Sequence, residues 1–168
     1  MTLGEFNRCA DLYSDALYAF VLKNLQNAAE AQDTVQEAYE KLWLKHSEID
    51  FQKAKPYLFA CAYHGLIDTV RKKRNCFLTC DDAASGLPQK HFQQFSGIRE
   101  ALDAALNRLP AEQKSVILLR DYQGYSYEEI SQITGLTLSS VKVYIFRGRV
   151  AMKKNLELLG LTVNDLED

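Results

Sequence analysis

The chain lacks any apolar run of the roughly eighteen residues that a membrane-spanning helix needs. Its start, Met1-Thr2-Leu3-Gly4-Glu5-Phe6, lacks the basic residues and apolar stretch of an export signal. Both absences predict a protein that stays in the cytoplasm, with no direct membrane insertion. Cysteine is sparse, at Cys9, Cys61, Cys76 and Cys80, and a reducing cytosol argues against a disulfide framework. Cys9 and Cys61 fall in helix-like apolar patterns and read as small core residues. Cys76 and Cys80 have only His91 nearby as a further ligand, short of the tetrahedral set of a structural zinc site. No metal site is expected. Phosphate-binding glycine loops, nucleophile motifs and metal-ligand clusters are missing too, which predicts no cofactor and no enzymatic activity.

An excess of positive charge is also missing. Lys and Arg number 20 against 22 Asp and Glu, for a formal net charge of −2 and a pI near 5.9. Duplex DNA is held mainly by neutralising its phosphates, so a chain with this balance holds DNA weakly by itself. It can do so through local patches or beside a larger basic partner. The charge is in fact uneven. Arg71-Lys72-Lys73-Arg74 forms one basic block, and Lys142, Arg147, Arg149, Lys153 and Lys154 form another. After Lys154 the chain has no basic residue and carries Glu157, Asp165, Glu167 and Asp168.

What is present is helical periodicity nearly throughout, with no sustained strand alternation and no internal repeat. Phe6, Cys9, Tyr13, Leu17, Phe20 and Val21 recur at helical steps. A second helix begins at Asn27, with Glu30 placed to complete a capping box. Its apolar stripe is Val35, Ala38, Tyr39, Leu42 and Trp43, of which Val35, Ala38, Tyr39 and Leu42 face inward. Pro56 suits the first turn of a third helix, which runs through Leu58, Cys61, Ala62, Leu66 and Val70 to the basic block. The pattern breaks before Gly97, in a stretch containing Asp81-Asp82-Ala83-Ala84-Ser85-Gly86-Leu87-Pro88, and reads as a flexible linker. It returns with Leu102, Ala105, Leu106 and Leu109 and stops at Pro110. Val116, Ile117 and Leu119 mark the next helix, which ends near Gly124. The expected architecture is all-α: two small helical domains, 1–75 and 98–159, a linker over 76–97 and a tail over 160–168.

Within the second unit, Ser126 to Arg149 has the spacing of a helix-turn-helix. Ser126-Tyr127-Glu128-Glu129 is a capping box, Gly135 makes the turn, and Thr137 caps a long second helix. Ile130, Ile133, Leu136, Val141 and Ile145 supply the apolar contacts. A recognition helix presents its N-terminal residues to base edges, while its basic residues grip phosphates. A helical hairpin with a merely solvated basic face is the competing reading, and the register of cap, turn and second cap weighs against it.

These residues carry a family resemblance. Leu109-Pro110-Ala111-Glu112-Gln113 through Arg120, then Gly124-Tyr125-Ser126-Tyr127-Glu128-Glu129-Ile130, Gly135-Leu136-Thr137 and Phe146-Arg147-Gly148-Arg149, resemble region 4 of extracytoplasmic-function (ECF) sigma factors, a branch of the sigma-70 family. The resemblance implies that this helix reads the −35 promoter element, through Ser139, Ser140, Lys142, Tyr144, Phe146, Arg147 and Arg149. Gly148 stands where the family commonly has Ala, at a helix-propensity cost of about 1 kcal/mol. Asp33-Thr34-Val35-Gln36-Glu37-Ala38-Tyr39-Glu40-Lys41-Leu42-Trp43 resembles the region 2 segment that docks on the clamp helices of the largest subunit of RNA polymerase. Asp33, Gln36, Glu37 and Glu40 lie outside its apolar stripe, and an acidic face complements a basic partner. Lys55 to Arg71 resembles the segment that handles the −10 element. Tyr57, Phe59 and Tyr63 are candidate stacking surfaces, of which one is expected to touch DNA, and His64 stands where the family usually has Asn. Arg71, Lys72, Lys73 and Arg74 track phosphates.

The resemblance implies three partners: the polymerase core, promoter DNA and an anti-sigma factor. Two other readings make different predictions. A stand-alone helix-turn-helix regulator binds duplex DNA tightly without core, usually as a symmetric dimer. A helical adaptor shows no sequence-specific DNA binding even with core.

Overall fold

The computed structural model describes residues 1–79 and 97–160, with the side chains of 77–79 excepted. Residues 80–96, which hold most of the expected linker with Cys80 and His91, and the tail residues 161–168 lie outside the described residues. Every regular element among those described is helical.

Helix α1 (Leu3–Leu25) starts at a capping box. Thr2 Oγ1 accepts from the Glu5 amide at 3.3 Å, and the Thr2 amide donates to Glu5 Oε2 at 2.7 Å. Gln26 takes the left-handed conformation (φ 55°) that ends it. Asn27 then caps α2 (Ala28–Leu44) by accepting from the Glu30 amide at 3.1 Å. The expected return half of that box is replaced: the Glu30 carboxylate meets Lys73 Nζ at 2.6 Å instead. A cation on a neighbouring helix offers it a stronger partner than an exposed amide.

Helix α3 (Phe51–Thr79) begins before Pro56, so the proline lies inside the helix and not in its first turn. The proline forfeits the bond to the Gln52 carbonyl, and Gln52 is exposed, so water can satisfy it. Leu17, Phe20, Val21, Ala38, Leu42, Leu58, Ala62 and Leu66 fill the space between the three helices. A Cβ on Gly65 would come 3.3 Å from Thr34 Cγ2, which marks how closely α2 and α3 approach.

The second unit holds α4 (Ile98–Leu106), α5 (Ala111–Ile117), α6 (Tyr127–Thr134) and α7 (Leu138–Leu158). After α5 the backbone widens into a π-helical turn over Leu118–Tyr122, closed by a bond from the Gln123 amide to Leu118 O at 3.1 Å. Ala101 and Ala105 of α4 pack on Leu156 of α7 in a small cluster of their own.

The two units share one buried core rather than standing apart. Helix α3 packs against α5 and α6. The Phe59 ring meets Tyr125 at 5.4 Å, and Lys55 Nζ sits 5.0 Å from the centre of the Tyr125 ring. Around this contact run polar links. Lys114 Nζ donates to Asn24 O at 3.1 Å, Ser115 Oγ to Asn24 Oδ1 at 2.7 Å, and Lys23 pairs with Asp103 at 3.0 Å. Nothing in the sequence pattern distinguishes apolar positions facing the chain's own unit from those facing the other.

Cys9 is fully buried, Cys61 half-buried and Cys76 exposed. Among the described residues, no helix is long and apolar enough to cross a membrane, and no group of three or more His, Cys, Asp or Glu is placed to hold a metal.

Candidate nucleic-acid and partner interface

The helix-turn-helix is assembled from short-range chemistry. Ser126 Oγ accepts from the Glu129 amide at 3.2 Å, while the Ser126 amide donates to Glu129 Oε2 at 2.7 Å. Gly135 sits at φ 74°, where any side chain is strained, and turns the chain between α6 and α7. Thr137 Oγ1 accepts from the Ser140 amide at 3.2 Å and so starts α7. Val141, Ile145 and Gly148 face inward. The absence of a side chain at Gly148 has a steric reason: a Cβ there would overlap Ile117 Cδ1. The glycine lets α7 lie directly on α5.

That packing turns the other side of α7 outward. Ser139, Lys142, Phe146, Arg147 and Arg149 are exposed, and Ser140 and Tyr144 are half-buried. Phe146 leaves 69% of its surface in solvent. It forms a shallow groove with Tyr127, Lys142, Arg149, Val150 and Lys153. This mixture of cations around an apolar ring fits a phosphate backbone with base edges or methyl groups beneath it. Arg149 is already engaged, with Nη2 at 2.7 Å from Asp121 Oδ1. Both side chains are substantially exposed, so the pair is weak and a phosphate can take Asp121's place.

On α2, Asp33, Gln36, Glu37 and Glu40 are all exposed, and Gln36 Nε2 donates to Glu40 Oε1 at 3.1 Å. Beside them lies an apolar groove that the sequence reading missed, lined by Phe6, Tyr39, Trp43 and Leu44. Trp43, the end of the apolar stripe, is 43% exposed, and Leu44 is 79% exposed. The signal was present. Trp43 is one step past Leu42, about 100° round the helix, and one heptad past Gln36, so it shares the outer face. Its ring is steadied by Phe6, edge-on at 5.0 Å, and by His46, stacked at 4.8 Å.

On α3 the aromatic candidates separate. Tyr57 is half-buried, Phe59 is fully buried and Tyr63 is 4% exposed. In this arrangement Phe59 and Tyr63 therefore offer no face for stacking, and Phe59 packs against both Phe20 of its own unit at 5.5 Å and Tyr125 of the second at 5.4 Å. Burial pushes the Tyr63 hydroxyl up to about 12, with Glu112 and Tyr144 of the second unit adding to the shift. His64 is exposed and meets Tyr63 edge-on at 5.3 Å. Arg71, Lys72, Lys73 and Arg74 are exposed, with Arg71 3.9 Å from Asp68 and Lys73 on Glu30. The structure thus presents three separate faces: the basic outer side of α7, the acidic side of α2 with its apolar groove, and the basic end of α3.

Comparison with known proteins matches two family models to the chain. Residues 10–76 match the family model for sigma-70 region 2, and residues 99–152 match that for sigma-70 region 4. The ECF RNA polymerase sigma factor SigM of Bacillus subtilis (strain 168) is 28% identical over 156 residues, covering 91% of this chain and 94% of that protein. The RNA polymerase sigma factor YlaC of the same organism is 32% identical over 134 residues, covering 75% of each chain. Among solved structures, the sigma factor RpoE from Bartonella quintana, in complex with the anti-sigma factor NepR, superposes with a TM-score of 0.74 at 24% identity. That match covers 92% of this chain and 98% of the other. CnrH, in complex with the cytosolic domain of CnrY, gives 0.67 at 19% identity over 91% of this chain and 88% of the other. At those identities the structural matches speak for the fold.

Proposed function

The chain belongs to the ECF branch of the sigma-70 family of RNA polymerase sigma factors, and on that premise we propose that it directs the polymerase core to specific promoters and starts transcription there. It acts in the cytoplasm by binding, and the bond-making chemistry belongs to the core. Residues 1–75 serve as the unit that grips core and handles the −10 element, and 98–159 as the unit that reads the −35 element. On α2, Asp33, Gln36, Glu37 and Glu40 meet the clamp helices of the largest subunit. On α7, Ser139, Ser140, Lys142, Tyr144, Phe146, Arg147 and Arg149 meet −35 DNA. On α3, one of Tyr57, Phe59 and Tyr63 stacks on an unpaired base, and His64 lies beside it. Arg71 to Arg74 follow the backbone. An anti-sigma factor holds the protein until it is needed, as the similar solved RpoE is bound by the anti-sigma factor NepR.

The observation that carries this reading is the presence of region 2 and region 4, in that order, in one chain whose α2 exposes Asp33, Glu37 and Glu40 together. The test is reconstitution. With a net charge of −2, free protein should hold a promoter fragment poorly, and added core should produce transcripts with defined starts. Tight, sequence-specific binding by the free protein, with no core recovered in a pull-down, would point to a stand-alone regulator instead.

A further inference from the structure

Val143, Phe146 and Val150 are 41%, 69% and 55% exposed, and they follow one another at i, i+3 and i+7 along α7. That spacing places them on one ridge of the helix. Val141 and Ile145 are the buried residues that seat α7 on the rest of its unit. At about 100° per residue, Val143 lies about 160° round the helix from each of them. It therefore points away from the body of the molecule. The ridge runs between two rows of cations. Lys142, Arg149 and Lys153 lie on one side of it and Arg147 and Lys154 on the other, all exposed. Between Lys142 and Lys154 the helix carries no carboxylate.

This cross-section fits the major groove of duplex DNA, where two rows of phosphate border a floor of base edges and leave room for one α-helix. A residue at the centre of the outer face meets the floor, and the cations beside it meet the walls. Valine has neither donor nor acceptor, so hydrogen-bond readout is closed to it. The apolar group that the floor offers is the 5-methyl of thymine. A single exposed valine is ordinary on a protein surface. One aligned with an exposed phenylalanine between two rows of cations has a defined surface to fit.

We propose that Val143 is a specificity-determining residue of α7, which reads the 5-methyl group of one thymine in the −35 element by apolar contact. The proposal rests on the reading of α7 as the −35 helix. It adds the chemical feature that is read and the side chain that reads it. The flanking cations supply affinity, and Val143 decides which base pair is accepted at one position.

The test uses holoenzyme reconstituted with the full chain. It is offered synthetic duplexes randomised over the −35 and −10 segments, and the bound sequences are read. In the selected duplex each thymine of the −35 segment, on either strand, is replaced singly by deoxyuridine, which removes the methyl and keeps the base pairing. One replacement should weaken binding by the parent about fourfold, the worth of one buried methyl group. Val143→Ala should bind the thymine and deoxyuridine duplexes equally. A merely structural effect of the variant would weaken both duplexes alike and leave the fourfold gap in place. A selected −35 segment without thymine, a parent indifferent to every replacement, or a gap that survives in Val143→Ala overturns the proposal. Arg147→Ala separates this failure from that of the underlying reading. If it still weakens binding through the −35 segment, α7 remains the reading helix and only the role of Val143 falls. If it has no effect and the randomised −35 segment returns no preferred sequence, both fall together.

Discussion

Gly148 is a residue at which helix propensity and packing pull in opposite directions. Read from the sequence alone, it is a mid-helix cost of about 1 kcal/mol. Against Ile117 it is the residue that lets α7 rest on α5. Gly148→Ala gains the propensity but forces a methyl group into a filled site, where overpacking costs about 1–3 kcal/mol. The expected net is a loss of about 1 kcal/mol in urea unfolding. Shortening the obstacle with Ile117→Val should restore the double variant to near the parent. A Gly148→Ala protein more stable than the parent would mean that Ile117 moves aside freely. Lys114, buried in α5, is the second such residue, since a charged side chain ordinarily stays in solvent. Burial lowers its pKa from 10.5 to about 8. Between those values the unfolded chain holds the proton and the folded one does not, so this group adds stability as pH rises from about 8 to 10.5. Below about 8 its full penalty stands. Tyr63, Tyr39 and Cys61, all pushed upward by burial, act in the opposite sense at alkaline pH, so the comparison must be made against Lys114→Met. The variant's advantage over the parent should shrink by on the order of 2 kcal/mol across that range. A gap that stays constant with pH would show that Lys114 has an ordinary pKa in the folded protein.

At the scale of helices, what the sequence made legible were the places where a few neighbouring residues decide the outcome. Ser126 with Glu129, Gly135 and Thr137 set the ends of α6 and α7 through bonds that span no more than four positions. The start of α2 was half-legible, because the rival partner for Glu30 is Lys73, on another helix. Pro56 misled for a different reason. A proline inside a helix is tolerable only where water can serve the stranded carbonyl, and exposure is not written in spacing. The outward Trp43 is legible by angle, although its hydrophobicity groups it with the apolar stripe. The faces themselves yield a paired prediction. Arg147→Ala should reduce transcription from a promoter dependent on its −35 element and lower the salt slope of holoenzyme binding by about 1, with core recovery unchanged. Asp33→Ala with Glu37→Ala should cut core recovery while leaving α7 unaltered. If both variants lose core binding equally, the division of labour between α2 and α7 is wrong.

For the whole molecule, the helical class and the absence of a basic excess were legible, because period and charge are sums over many residues. The joining of the two units was not legible. It depends on Tyr125, Ser115 and Lys114 meeting Phe59 and Asn24 across a long stretch of chain, and no local pattern encodes such a meeting. The Arg149–Asp121 pair has a consequence at this scale. A cation that carries its own anion has little to gain from random duplex, since it sheds one carboxylate to take up one phosphate and liberates few ions in the exchange. If α7 is the reading helix, its purely ionic hold on arbitrary stretches of the chromosome falls to the exposed Lys142, Arg147, Lys153 and Lys154, while Arg149 weighs in where the fit is right.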